Sequence, residues 1–219
     1  MDLREASGEN FEQFPPKVRR ALLLYVHGFP VTKYLIVFTK EIEYAVHEIR
    51  MATEKSRYGI VVRTIPRKDG AQTMSLPYIW LKKSEEVSAE VLRGLGTILM
   101  AFAPQATPET AKGVVVGRYV VLFDQGRRVI EYYLDEIRPR VLDRVEKGDP
   151  RFGSLVQNPG KFFWAEGGCA EVGSKILRVL QKYDERVEVL GKAIGAQEVC
   201  LEFTWNRGRI EFHDFDSRK

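Results

Sequence analysis

The C-terminal stretch constrains this chain more than any other segment. Leu201-Glu-Phe-Thr-Trp-Asn206 and Arg209-Ile-Glu-Phe-His213 alternate apolar and polar residues on either side of Arg207-Gly208. Period-two alternation marks a strand with one buried face, and a two-residue turn fixes the register. With the turn at Arg207-Gly208, Trp205 stands opposite Ile210 and Phe203 opposite Phe212. Leu201, Phe203, Trp205, Ile210 and Phe212 then share one face. An isolated hairpin is marginal in water, so this face requires further strands and a covering layer.

The rest of the chain offers both. Pro15-Pro16 opens a helix through Val26 that Gly28 closes. Tyr34–Phe38 reads as a buried strand, and Glu41–Lys55 as a helix with Ile42, Ala45, Val46, Ile49 and Ala52 on one stripe. Gly59–Ile65 and Met74–Leu81 read as a hairpin around Pro66–Gly70, and Val114–Phe123 and Arg128–Leu134 as a second around Asp124–Gly126. Helices are expected over Glu85–Ala103, Asp135–Lys147, Ala170–Tyr183 and Glu185–Ile194, with a short strand at Lys161–Ala165. The pattern predicts an α+β chain with a mixed, largely antiparallel sheet flanked by helices. Residues 1–14 read as a flexible lead-in and 15–219 as a single domain.

At 219 residues and 44% hydrophobic, the chain can bury a real core, which excludes a disordered tail. Its two cysteines, Cys169 and Cys200, are too few for a secreted disulfide framework and lack zinc-knuckle spacing. The longest early apolar run, Ala21–Val26, is far short of a membrane span, so a cytoplasmic protein is expected. The net charge of +4 is spread evenly. Residues 1–110 carry 15 basic and 13 acidic side chains, and 111–219 carry 19 and 17, so each half contributes about +2.

Arg93-Gly94-Leu95-Gly96-Thr97-Ile98-Leu99-Met100 is the most suggestive motif. Glycines in the first turn of a helix let backbone N–H groups approach a phosphate. The run resembles the pyrophosphate loop of GNAT-type acyl-CoA N-acyltransferases, over about eight residues. That resemblance implies a GNAT-like fold and acyl-CoA as co-substrate, transferred to an amine acceptor. Gly94, Gly96 and Thr97 would hold the pyrophosphate and Arg93 would supply counter-charge. Glu166, ending an aromatic strand before Gly167-Gly168, would be the general base. Packing glycines inside a helix are the alternative reading of Gly94 and Gly96, and a solvated turn carboxylate that of Glu166.

Other constellations are weaker. Gly168–Lys175 resembles a P-loop with its final Ser and Lys exchanged, which misplaces both phosphate-binding groups. Cys169 at a helix start is a candidate nucleophile, but a buried turn cysteine is the simpler reading. The hairpin register sets Glu202 opposite His213 with Glu211 on the same face, a trio suited to either an ion-pair face or a divalent ion; no metal site is assigned. Arg63, Arg67 and Lys68 at one hairpin and Arg207 and Arg209 at another would form a basic rim if they converge. That keeps a non-enzymatic nucleic-acid-binding protein as one alternative. A structural or assembly protein, including a homo-oligomer, is the other.

Overall fold

The structure is a computed structural model that describes residues 1–8, 11–65, 77–83, 85–137, 149–159, 161–166 and 170–218. In chain order its elements begin with α1 (Leu3–Ala6), α2 (Pro16–Val26), β1 (Tyr34–Phe38), α3 (Ile42–Lys55), β2 (Ile60–Thr64) and β3 (Tyr78–Leu81). There follow α4 (Ala89–Leu95), β4 (Ile98–Phe102), β5 (Val114–Leu122), β6 (Arg127–Leu134), β7 (Phe152–Asn158) and β8 (Lys161–Glu166). The chain ends with α5 (Ala170–Leu180), α6 (Asp184–Ile194), β9 (Glu198–Asn206) and β10 (Arg209–Arg218). The expected α+β class holds, realised as two antiparallel sheets with helices.

Contacts divide the chain into two compact units, residues 1–22 with 32–105 and residues 23–31 with 106–219. In the first, a four-stranded sheet runs in the order β1-β4-β2-β3. Ile42, Ala45 and Ile49 of α3 and Leu92 of α4 pack with Val62, Leu99 and Ala101 of the sheet. Met1 and Asp2 lie along the outer edge of β1: the Ile36 amide donates to the Met1 carbonyl at 2.8 Å.

A helix over Glu85–Ala103 is the largest sequence expectation that fails. Only Ala89–Leu95 is helical, and Ile98–Phe102 is the central strand β4, paired with both β1 and β2. Leu99, Met100 and Ala101 are buried side by side, as in a strand covered on both faces. A short apolar run of this kind has no period that separates helix from strand.

In the second unit the sheet order is β10-β9-β5-β6-β7-β8. The turn at Arg207-Gly208 has φ of 49° and 82°, the doubly left-handed form that two-residue hairpins favour. Trp205 pairs with Ile210 and Phe203 with Phe212, as the alternation requires, and Leu201, Phe203, Ile210 and Phe212 are buried. Ile176 and Leu180 of α5 and Val187 and Leu190 of α6 cover that face. β7 has no counterpart in the sequence reading, although Phe152, Leu155 and Val156 before Asn158-Pro159 are a strand-and-turn signal. Tyr132 is fully buried, and two glycines make room for it. Gly153 is its cross-strand partner, and a Cβ on Gly173 of α5 would stand 2.8 Å from the Tyr132 hydroxyl. The turn at 66–70, most of the expected 135–147 helix and Gly167–Cys169 lie outside the described residues, as do Arg67 and Lys68.

Candidate functional site

The glycine turn at 93–97 belongs to the first unit and has the wrong polarity for a phosphate cradle. The Ser88 side chain caps the start of α4 by accepting from the Val91 amide at 3.2 Å, so the helix begins there and ends at Leu95. Arg93, Gly94, Gly96 and Thr97 therefore sit at or beyond the C-terminal end, where carbonyls project and the dipole is negative. Those carbonyls are engaged: the Thr64 hydroxyl donates to Leu95, and the Thr39 amide donates to Thr97 at 3.1 Å. Gly96 has φ of 154° because it turns the chain from helix to strand. An anion would be repelled here. The acyl-CoA N-acyltransferase reading, with its GNAT-like fold and acyl donor, is thereby corrected.

In the second unit the strand pairings place alternate residues on two faces. One is the helix-covered core. The other is half-exposed only in part: Val116, Tyr133, Thr204 and Asp214 are buried, Arg118, Val120, Val129, Glu131 and Val156 are half-buried, and Glu202 is exposed. It carries a charged row across the strands. Asp214 stands opposite Glu202, Glu202 opposite Arg118, Arg118 opposite Glu131, Glu131 opposite Ser154 and Ser154 opposite Glu166. The structure thus brings the predicted Glu166 into register with five other polar residues. Apolar rows flank this one. On one side run Cys200, Val120, Val129 and Val156, with Asp216 beyond Cys200. On the other run Thr204, Val116, Tyr133 and Phe152, the last two rings 5.7 Å apart.

A bulge between Phe212 and Asp214 sets the acidic end of the row. It corrects the expected pairing of Glu202 with His213. Asp214 takes that place, and His213 Nε2 instead lies 2.5 Å from the Thr204 hydroxyl oxygen. Asp214 is buried, with its carboxylate accepting from the Phe215 amide at 3.0 Å, whereas Glu202 and Asp216 are exposed. Two carboxylates directly opposite each other repel, and Glu202 also stands opposite the Arg118 cation, which offsets part of that charge. Cys200 reports the local electrostatics. Burial pushes its thiol up to about 12, opposed by the Arg118 charge and reinforced by Glu202, Asp216 and Glu198.

Asp214, Asp216, Arg118 and Glu131 went unrecognised in the sequence. The available signal was the odd spacing from Phe212 to Phe215, which breaks the alternation and marks an inserted residue. Among the described residues, no group of three or more His, Cys, Asp or Glu side chains could hold a metal ion. None of the described helices is long and apolar enough to cross a membrane.

No family model and no curated protein matches the sequence. The similarities are structural. The chain resembles the macrocyclase MdnC of Microcystis aeruginosa MRC, solved with the precursor peptide MdnA, at 11% identity and a TM-score of 0.48. That match covers 91% of this chain and 51% of the other. It also resembles the VanG D-Ala:D-Ser ligase of Enterococcus faecalis, at 12% identity and a TM-score of 0.47, over 92% of this chain and 51% of that one. The D-alanine-D-alanine ligase of Helicobacter pylori gives 12% and 0.48, over 93% and 50%. The chain spans about half the length of these structures.

Proposed function

We propose that the half-exposed face of the six-stranded sheet binds a nucleotide as its divalent-cation complex, and that this binding serves ATP-dependent ligation. The observation that carries the reading is the row Asp214, Glu202, Arg118, Glu131 between two apolar rows. A ligand suited to this face has a flat apolar portion for the half-buried Val120, Val129 and Val156 and a charged portion for the row. Magnesium is ordinarily held by one or two carboxylates and completes its shell with water and substrate phosphates. Glu202 and Asp214, with Asp216 one row away, fit that donor set, and three protein ligands in one cluster are not required.

Joining a carboxylate to an amine or hydroxyl requires that the carboxylate be activated, and a bound nucleotide supplies a transferable phosphoryl group. In this scheme the chain's own residues bind and orient. Glu202 and Asp214 would hold the cation, and Arg118 would neutralise phosphate charge while its position between Glu202 and Glu131 keeps it in place.

Isothermal titration of the full chain with ATP, with and without magnesium, tests the reading. Magnesium-dependent binding is expected, weakened about tenfold or more in Glu202→Gln and Asp214→Asn. Absence of binding in the unsubstituted protein, or equal binding in both variants, overturns it. ADP release in the presence of D-amino-acid and peptide acceptors is the second measurement.

A further inference from the structure

β1 is an outermost strand of the four-stranded sheet, and the first residues of the chain lie along its outer side. Ile36 directs both backbone groups to them. Its N–H donates to the Met1 carbonyl at 2.8 Å, and its carbonyl accepts from the Met1 nitrogen at 3.3 Å. Asp2 forms an antiparallel bridge with Leu35. Backbone groups alternate in direction along an antiparallel strand, so Leu35 and Val37 turn theirs to Ala101 and Leu99 of β4.

α1 follows at once and is a single turn, too short to stand without help. Asp2 and Glu5 cap it reciprocally. The Asp2 amide donates to the Glu5 carboxylate at 2.9 Å, and the Glu5 amide to the Asp2 carboxylate at 2.9 Å. The Ala6 amide closes the turn on the Asp2 carbonyl at 3.0 Å, and Ala6 is fully buried. Residues 1–6 are thus a short strand locked to a one-turn helix, held by two exposed side chains.

What this strap covers is a hazard. β1 reads Tyr-Leu-Ile-Val-Phe, with no charge and no proline to discourage pairing. Such an edge is a template for another strand. A second copy of the chain offers a strand of matching length and pattern. A two-fold axis at Ile36 would set Tyr34 of each copy opposite Phe38 of the other, a closed, isologous contact. Beyond Ile36 the cover is incomplete. A cavity of about 280 Å³ opens beside Val37 and Phe38, with Glu5, Glu41, Tyr44 and Glu48 around it. Glu41 and Glu48 would oppose the same carboxylates of a second copy, a repulsion that salt screens and that Lys40, 4.0 Å from Glu41, partly offsets.

We infer that residues 1–6 form a guard strap over β1, and that its release lets two copies of the chain pair through Ile36. The strap belongs to the first unit and operates whether or not a nucleotide binds in the second.

The test uses the full chain carrying Asp2→Ala with Glu5→Ala, and follows amide hydrogen exchange together with sedimentation. In dilute solution the Ile36 amide is expected to exchange about tenfold faster or more, while Leu35 and Val37, bonded to β4, stay within about twofold. As protein concentration rises, dimer is expected beyond that of the unsubstituted chain, and more of it at high salt. Protection of Ile36 is expected to return with the dimer, because the pair forms around that amide. Glu5→Gln keeps an acceptor for the Asp2 amide and is expected to behave as the unsubstituted chain. Unchanged Ile36 exchange in the double variant overturns the strap. Loss of Leu35 and Val37 protection along with Ile36 overturns it too, since residues 1–6 would then be part of the unit's core. A freed Ile36 with no added dimer at any concentration shows that the edge needs no guard, and a dimer that leaves Ile36 unprotected places the pairing elsewhere. Either result overturns the inference.

Discussion

The Tyr119 hydroxyl donates a 2.6 Å hydrogen bond to the carboxylate of Asp184, joining the centre of β5 to the first residue of α6. Arg128 from β6 holds the other carboxylate oxygen at 2.9 Å. The three residues tie the sheet to its covering helix, and Asp184 also places negative charge at a helix start, where the dipole favours it. Tyr119→Phe leaves the Arg128 contact and is expected to cost about 1–2 kcal/mol. Asp184→Ala strands both partners and is expected to cost about 2–3 kcal/mol, read from urea unfolding. Equal losses would mean that the arginine contact contributes nothing.

Alkaline stability follows from Tyr119 and Cys200. Burial raises the phenol, helped by the Asp184 carboxylate, and burial pushes the thiol up to about 12. In the unfolded chain these groups lose protons near pH 10 and about 8.5. Above those values the folded state binds more protons than the unfolded one, so stability falls as pH rises. The thiol acts from about pH 9 to 12, at up to about 1.4 kcal/mol per pH unit. Cys200→Ala is expected to flatten unfolding free energy against pH by about one proton in that window.

The same desolvation is expected to slow the reaction of Cys200, a half-buried residue. In a Cys169→Ser background, alkylation at pH 8 is expected to run about three orders of magnitude slower in the folded protein than in urea. Rapid modification of the folded protein would show that the thiol is accessible and ordinary.

The glycines of the 93–97 turn are expected to behave differently from one another. Gly96→Ala forces a side chain into φ of 154° against Thr64 and should cost about 1–3 kcal/mol. A Cβ on Gly94 meets nothing within 4 Å, in the last turn of α4. Gly94→Ala should be neutral or stabilising by up to about 1 kcal/mol. Thermal unfolding of the two variants checks the contrast.

The packing around Tyr132 gives a rescue experiment. Gly173→Ala drives a methyl against the Tyr132 hydroxyl and is expected to cost about 1–3 kcal/mol. Removing that oxygen in Tyr132→Phe should recover part of the loss, measured as a positive coupling in a double-mutant cycle.

The sequence by itself determined the elements whose periodicity is strong and local. The Arg207-Gly208 hairpin, the β5–β6 hairpin, α3 and β1 are each written in alternation, helical stripe or turn residues. Tertiary structure decided what depends on partners distant in sequence. Ile98–Phe102 is a strand because β1 and β2 close on both of its edges, which no window of nearby residues contains. The candidate site was legible only in fragments, as Glu202 and Glu166. The charged row exists because five separate strand pairings align residues from six strands, and pairing register is a property of the assembled sheet. A single inserted residue at His213 turns Asp214 from the core side to the half-exposed face, opposite Glu202. The spacing of Phe212 and Phe215 hints at that insertion, but only the partner strand shows where the extra residue is accommodated.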